Sequence, residues 1–460
     1  MKKLFLTFLL LFLSAPAWGQ PLERPAAMAP LVVSDWSSFE DLLRHAKSVG
    51  ITAISTDVWW GKVEGAGEQK FDWRYYDEVS RAIMNAGLKW VPIMSFHQCG
   101  GNVGDDCDIP IPAWIWCRLD CKDPDRLKYR SENGNESSEV IALWADDLAR
   151  KEYMEFITAF RDHFRNLAGE IAEINIGTGP SGELRYPSYN NHDHWTYPGR
   201  GFLQAYSEPA KDDFRRFVRD KYQTLERVNQ AWHTSLTDWS EVLPPSNADG
   251  FFSRQDDLKI QYGKDFTDWY NGALVKHGRF MINLAREALG DAFKGVPIGI
   301  KIPGVHWQMN SPAMPRAAEV TAGLIPTSID IASEETAHGY APILDMVKQA
   351  SSHGHPLVLH FTCLEMDDQP NAPDYSLAKD LVFWIAKGAQ RTGVTVMGEN
   401  ALSSGVTSDH GWDNIDNAIR WSSYVGFTAL RLKDLTANDD LGFQRYRRLI
   451  DEFKPQGAMP

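Results

Sequence analysis

The stretch "EIAEINIGTGPSGELRYPSYN", residues 170–190, runs a short apolar segment straight into a glycine-rich turn that ends in a carboxylate, Glu183. "IAEINIG" reads as a buried strand. Gly177, Gly179 and Gly182 mark its exit as a tight turn. A glutamate there, followed by Arg185, Tyr186 and Tyr189, has no evident packing role. Either it is a catalytic acid with a partner elsewhere, or it is half of a buried ion pair, for instance with Arg185 or Arg431.

Outward from this segment the same unit recurs. "MAPLVV" precedes "FEDLLRHAKSVG", and "AISTDVW" precedes "WRYYDEVSRAIMNAG". "LKWVPIMSF", "VPIGIKI", "PLVLHFT", "VTVMGEN" and "FTALRL" complete eight strand-like runs, each eventually followed by a helical pattern. Gly50, Gly87, Gly169, Gly290, Gly393 and Gly426 stand where helices should end. Strands alternating with helices imply a parallel sheet, and eight of them an α/β fold, a closed (β/α)8 TIM barrel. Long loops would form a lobe at its C-terminal face. "IDIAS", 329–333, is a rival strand and is assigned to an inserted loop. No linker or repeat divides the chain, so one catalytic domain over 28–455 is expected.

Composition bounds the function. Of 460 residues, 43% are hydrophobic and 23% charged, enough for a large core without a metal or disulfide to fold around. The balance of 47 basic against 61 acidic residues, net −14, argues against nucleic acid and anionic membranes as partners. Seventeen tryptophans suit large aromatic cores and also flat sugar faces. At the N-terminus Lys2 and Lys3, the apolar run "LFLTFLLLFL" and the small residues of "SAPAWGQ" form a signal peptide over 1–19. An extracellular or periplasmic protein follows. Cys99 and Cys107 flank "GGNVGDD" and can close that loop as a disulfide, the pairing of Cys117 with Cys121 stays open, and Cys363 reads as a buried free thiol. Zinc motifs are absent from the sequence.

Barrel chemistry sits at the C-terminal strand ends. Those ends carry Asp57, His97 with Asp105 beyond it, Glu183 with Arg185, Lys301 with His306 and Trp307, Thr362 with Glu365, Glu399 with Asn400, and Arg431. Acids, amides and aromatics with little like-charge clustering suit a neutral polyhydroxylated substrate. Glu183 and Glu399, at strand ends four and seven, can face each other across the mouth as glycoside hydrolysis requires.

The motif series "STDVWWG", "MSFHQCGGNVGDDCDIPIP", "GPSGELRYPSY", "KIPGVHW", "FTCLEM", "GENAL" and "FTALRL" resembles that of the β-amylases, inverting exo-hydrolases of starch, from about Met28 to Phe453. Cys99 and Cys107 resemble the bacterial branch. The resemblance implies Glu183 as general acid, Glu399 as general base, Asp105 on a loop that shuts over the sugars and Thr362 on an inner loop that responds to substrate. It implies sugar contacts at Asp57, His97, Lys301, Asn400, Ala401, Leu402 and Arg431, with His306, Trp307 and Trp195 lining further subsites. Starch, maltodextrins and maltose are then the partners, and a monomer is expected.

Ser181 departs from the usual alanine of that series, and no C-terminal starch-binding domain is expected. The chemistry needs no cofactor. Bacterial members can hold a structural calcium, for which Glu64 and Glu68 of "VEGAGEQ", completed by Glu139, are the candidate ligands; a solvated acidic loop is the alternative. Inversion needs carboxyls about 6.5–9.5 Å apart, whereas a retaining barrel glycosidase on another glucan needs about 5–5.5 Å. A non-catalytic glucan-binding protein would be expected to have lost one of these acids.

Overall fold

The computed structural model describes residues 22–101, 105–351 and 354–453. The signal segment 1–19 lies outside the described residues, as does Gly104 of the loop between the first two cysteines. Eight strands close the barrel: β1 (Ala26–Met28), β2 (Ala53–Trp59), β3 (Lys89–Ser95), β4 (Ile174–Ile176), β5 (Ile298–Ile302), β6 (Leu357–Phe361), β7 (Thr395–Glu399) and β8 (Phe427–Ala429). Each pairs in parallel with its sequence neighbours, and β8 returns to β1 through Ala26↔Thr428. The longest ladder runs from Ala53↔Lys89 to Trp59↔Ser95. β1 lies earlier than "MAPLVV" suggests. Its last ladder bond is Ala29 N to Ser55 O at 2.8 Å, and Pro30, without an N–H, cannot continue it.

Eight helices follow the strands in turn: α1 (Trp36–Val49), α2 (Arg74–Asn85), α3 (Asp146–Phe164), α4 (Gln261–Leu289), α5 (Ala341–Ser351), α6 (Ala378–Thr392), α7 (Asp409–Trp421) and α8 (Ala437–Glu452). α1 shows why its sequence folds so. Asp35 accepts from Ser38 N as N-cap, Gly50 closes the end in the left-handed region, and Phe39, Leu43, Ala46 and Val49 make one buried face. Gly393 ends α6 in the same way. Two expected helix ends differ. Gly169 lies inside a 3-10 segment, Arg165–Glu170, and Gly426 lies beyond Ser422, where α7 stops. At Gly426 a side chain would collide with the Glu23 carbonyl, so close approach of backbone explains that glycine. Residues 329–333 form no strand.

The tryptophans mostly build the core. Trp60, Trp73 and Trp90 interlock with Phe96, Phe156 and Phe164 between the barrel and α3, with Trp90 and Phe164 centroids 5.0 Å apart. Full burial of side chains of this kind contributes about 1.5–3 kcal/mol each. Within the barrel, buried Glu173 pairs with His360 at 2.5 Å and Arg24 at 2.6 Å. Burial alone would raise its pKa; His360 and Arg24 outweigh it and hold the carboxylate below its ordinary range. Between β4 and α4 the chain inserts helices at Glu208–Tyr222, Leu225–Trp232 and Ala248–Ser253, which build the lobe. Among the described residues no helix is long and apolar enough to cross a membrane.

Candidate active site

The Glu183 side of the mouth rests on a strained turn. After β4, Gly177 passes so close to β3 that a Cβ would lie 2.8 Å from Met94 O. Ser181 and Gly182 both take left-handed backbone, φ 57° and 76°. A non-glycine residue there costs on the order of 1 kcal/mol. Thr178 N bonds Gly182 O at 3.2 Å and closes the turn. Glu183 then bridges to Lys301 of β5, and Leu184 N donates to Lys301 O at 2.7 Å.

The ion pair weighed for this glutamate is present: Arg185 Nε donates to Glu183 Oε2 at 2.8 Å. The arginine is itself fully engaged. Nη2 reaches Ser181 Oγ at 3.2 Å, Nη1 reaches Asn190 Oδ1 at 2.6 Å, and the Tyr189 ring lies 4.0 Å from the guanidinium. Tyr189 also hydrogen-bonds Glu183. Ser181, the departure from alanine, thus contributes an acceptor that alanine lacks. Behind Asn190 stands Glu139, whose Oε2 accepts from Asn190 Nδ2 at 2.6 Å. Burial pushes Glu139 up to about 7, with Arg185 opposing the shift.

The Glu399 side is simpler. Glu399 ends β7, 2% exposed, and its Oε1 accepts from Lys301 Nζ at 2.6 Å. Lys301 therefore touches both halves of the mouth, with its backbone against Glu183 and its ammonium on Glu399. Asn400 ties the next turn to β8, accepting from Leu430 N at 2.8 Å and donating to Leu402 O at 3.0 Å. Glu365 accepts from Ala401 N at 3.0 Å and Leu402 N at 2.8 Å, while Leu402 stands 52% exposed. Burial raises Glu365 to about 7 against those backbone donors. Thr362 Oγ1 accepts from Gly304 N at 2.7 Å, and the next residue, Cys363, takes φ 70°. Cys363 is a buried free thiol.

Asp57, His97 and Arg431 join this wall. Asp57 accepts from Ser95 Oγ at 2.8 Å; burial raises its pKa, opposed by that hydrogen bond, Arg431 and Lys301. Arg431 donates to Leu430 O at 2.7 Å. Burial drives His97 down to about 3, so its ring is neutral at any ordinary pH. Its edge meets Trp59, and its Nδ1 has no hydrogen-bond partner among the described residues. Asp105 acts on the charge of His97 and anchors through Oδ2 to Gly100 N at 3.1 Å.

An aromatic wall stands alongside. Trp195 and Trp307 both donate their indole N–H to Gly199 O at 2.8 Å, and their rings are 5.5 Å apart. Tyr189 abuts Trp307 at 5.2 Å and links the wall to the Glu183 network. His306 packs on Trp307, bonds Ser376 Oγ at 2.7 Å, and is held by burial at about 4. Away from the mouth, a cleft of about 300 Å³ bounded by Asp123, Arg126, Tyr206 and Lys211 contains none of the expected site residues.

The structure pairs Cys99 with Cys107, their Cα atoms 5.6 Å apart, and also pairs Cys117 with Cys121. The expected calcium ligand set needs correction. Glu139 does not join Glu64 and Glu68, because it is committed to Asn190 at the mouth. Glu152 and Glu155 of α3 approach Glu68 instead, with carboxylate oxygens within 4.8 Å of one another. Glu64 is buried nearby, bonded to Trp60 Nε1 at 2.7 Å. Arg118 and Lys151 partly neutralise the group. Among the described residues, Glu152 Oε2 and Glu155 Oε2 are buried without a hydrogen-bond partner, and this hard-oxygen donor set fits a calcium ion. The sequence hid the grouping, since Glu152 and Glu155 lie on a helix that reads as an ordinary charged face.

A closed parallel barrel with two carboxylates at separate strand ends, a lysine joining them and an aromatic wall beside them defines a carbohydrate-hydrolase type of centre. Comparison with known proteins narrows the class. The profile of Glycosyl hydrolase family 14 matches residues 26–458, and the chain belongs to that family. It is 41% identical over 440 residues to a beta-amylase of Cytobacillus firmus, covering 94% of this chain and 88% of that one. It is 42% identical over 449 residues to a thermophilic beta-amylase of Thermoanaerobacterium thermosulfurigenes, covering 95% and 77%. Against the beta/alpha-amylase of Paenibacillus polymyxa it is 42% identical over 440 residues, spanning 34% of that protein's length. The crystal structure of the catalytic domain of beta-amylase from Paenibacillus polymyxa superposes with a TM-score of 0.83 at 40% identity, covering 94% of this chain and 99% of that one.

Proposed function

We propose that the protein hydrolyses α-1,4-glucosidic links of starch and maltodextrins, releasing β-maltose from non-reducing ends. Lys301 carries the reading: one residue lies against Glu183 through its backbone and on Glu399 through its ammonium. Glu183 donates its proton to the leaving glycosidic oxygen. Glu399, held beside the Lys301 ammonium, takes a proton from water on the opposite face of the sugar. The water attacks as the bond breaks, so the anomeric centre inverts in one displacement and no glycosyl-enzyme forms. Neutral His97 presents its unpartnered ring nitrogen to a sugar hydroxyl, with Asp57, Arg431, Asn400 and the Ala401–Leu402 backbone around the same ring. Thr362 and Asp105 close on the bound chain. Trp195, Trp307 and His306 face the further subsites.

Glu68, Glu152 and Glu155, with Glu64 behind them, would hold a structural calcium, which would offset their mutual repulsion and take no part in the chemistry. The leader directs the protein out of the cytoplasm, where the Cys99–Cys107 disulfide braces the Asp105 loop, and it acts as a monomer.

Early-time proton NMR of a starch digest tests the reaction. β-Maltose is expected before mutarotation. α-Maltose first would require a covalent intermediate and remove Glu399 from its role. Long mixed oligosaccharides early in the digest would defeat attack at chain ends.

A further inference from the structure

The turn that carries Glu183 is held from behind by a group the sequence did not single out. His277 lies within α4, 6% exposed. Its Nδ1 faces both oxygens of Asp146, at 2.8 and 2.9 Å, and its Nε2 lies 2.8 Å from the carbonyl oxygen of Thr178. A carbonyl oxygen only accepts, and so does an ionised carboxylate. Both ring nitrogens must then donate, which makes the ring an imidazolium. Thr178 is the residue whose N–H and hydroxyl both reach Gly182 O, so fixing its carbonyl fixes the turn one residue before Glu183.

We propose that His277, charged and paired with Asp146, is the positioning residue that holds the Thr178–Gly182 turn and so aims Glu183. This rests on the assignment of Glu183 as the acid. Burial alone would lower the His277 pKa, and the Asp146 charge and hydrogen bond outweigh it, leaving it raised. Burial raises the Asp146 pKa, and the charge and hydrogen bond of His277 oppose that shift. The groups facing the ring are few. Asp146 opens α3, and Tyr129 and Tyr153, both neutral phenols, line a void of about 10 Å³ against it with Gly177, Gly179 and Met281. Asp147 and Lys276 act on Asp146 from further out. A raised histidine stabilises the fold fully below its unfolded pKa, near 6.5, and that contribution disappears as pH rises through the folded value.

The first test reads the ring itself. Imidazole 15N NMR of the full-length protein should show His277 with both nitrogens protonated at pH 7. A neutral tautomer at that pH overturns the proposal, whatever the enzyme's activity. The second test uses His277→Gln and Asp146→Asn on a short maltodextrin. His277→Gln should lower kcat on the order of 10²-fold with KM within about twofold, as expected for a misplaced acid. Asp146→Asn should move the alkaline limb of kcat to lower pH. Unchanged kcat in a folded His277→Gln protein, or an unmoved limb in Asp146→Asn, overturns the positioning role. Wild-type protein that releases no β-maltose would instead defeat the functional reading and leave the NMR result standing. If either variant fails to fold, the NMR signal of the wild type still decides.

Discussion

The two sides of the barrel mouth are built differently. Glu183 sits at the end of a turn with left-handed backbone and is surrounded by a many-membered network of Arg185, Tyr189, Ser181, Asn190 and Glu139. Glu399 sits at the end of a regular strand with, among the described residues, one ion-pair partner, Lys301. The Glu183 side spreads its support over polar contacts from several loops, while the Glu399 side concentrates it in a single pair. A network tolerates the loss of one member better than a single pair does, because remaining hydrogen bonds keep each polar group partly satisfied.

That contrast can be broken at its centre. Glu183→Gln and Glu399→Gln should each lose on the order of 10²–10⁴-fold in turnover while the fold persists. Near-normal activity in either variant removes that residue from its role. Lys301→Met should come next. It leaves Glu399 2% exposed and without its cation, and breaking a buried pair costs about 3–5 kcal/mol. Urea unfolding should show that loss, and a stability within 1 kcal/mol of wild type would mean that the pair contributes little.

Smaller effects sharpen the comparison. Glu139 and Glu365 both have pKa values raised to about 7, so each favours its protonated form in the folded state. Stability should therefore fall as pH rises from about 4.3, the unfolded value, to about 7. Glu139→Gln should flatten that fall, read as melting temperature against pH; an unchanged slope would show that Glu139 stays charged throughout. Ser181→Ala removes one 3.2 Å hydrogen bond from an arginine that keeps others. A loss of about 1 kcal/mol or less is expected, visible as a change of a few-fold in kcat/KM. A hundredfold loss would show that the Glu183 side is no more tolerant than the Glu399 side.

Much of this was legible in the sequence, for a physical reason. Strand runs and the residues just past them are local, so Glu183, Lys301 and Glu399 could be placed from short motifs around "GEL", "KIPG" and "GEN". The first strand was displaced toward "MAPLVV" because apolar residues continue past the proline that ends the ladder. The supports were not legible. Thr178 and His277 are separated by 99 residues, and nothing in "VKHGRF" distinguishes an imidazolium anchor from a core histidine. Glu139 was assigned to a calcium site by its charge, and only the fold shows that it faces Asn190 while Glu152 and Glu155 turn toward Glu68.

Lys301 has one further consequence. The barrel can be thought of as two half-barrels, β1–β4 bearing Glu183 and β5–β8 bearing Glu399, with Lys301 in the first strand of the second half. Neither half contains a complete centre. The halves are joined in register at two seams, the ladder Ala26↔Thr428 and Ala27↔Ala429 between β1 and β8, and the ladder Ile174↔Ile298 and Asn175↔Gly299, which continues into the Glu183–Lys301 bridge. Two fragments cut in the lobe between them should therefore be silent alone and recover turnover together only when both seams zip in register. Such a split pair would act as an assembly reporter, in which the appearance of product measures the closing of the barrel along its two seams.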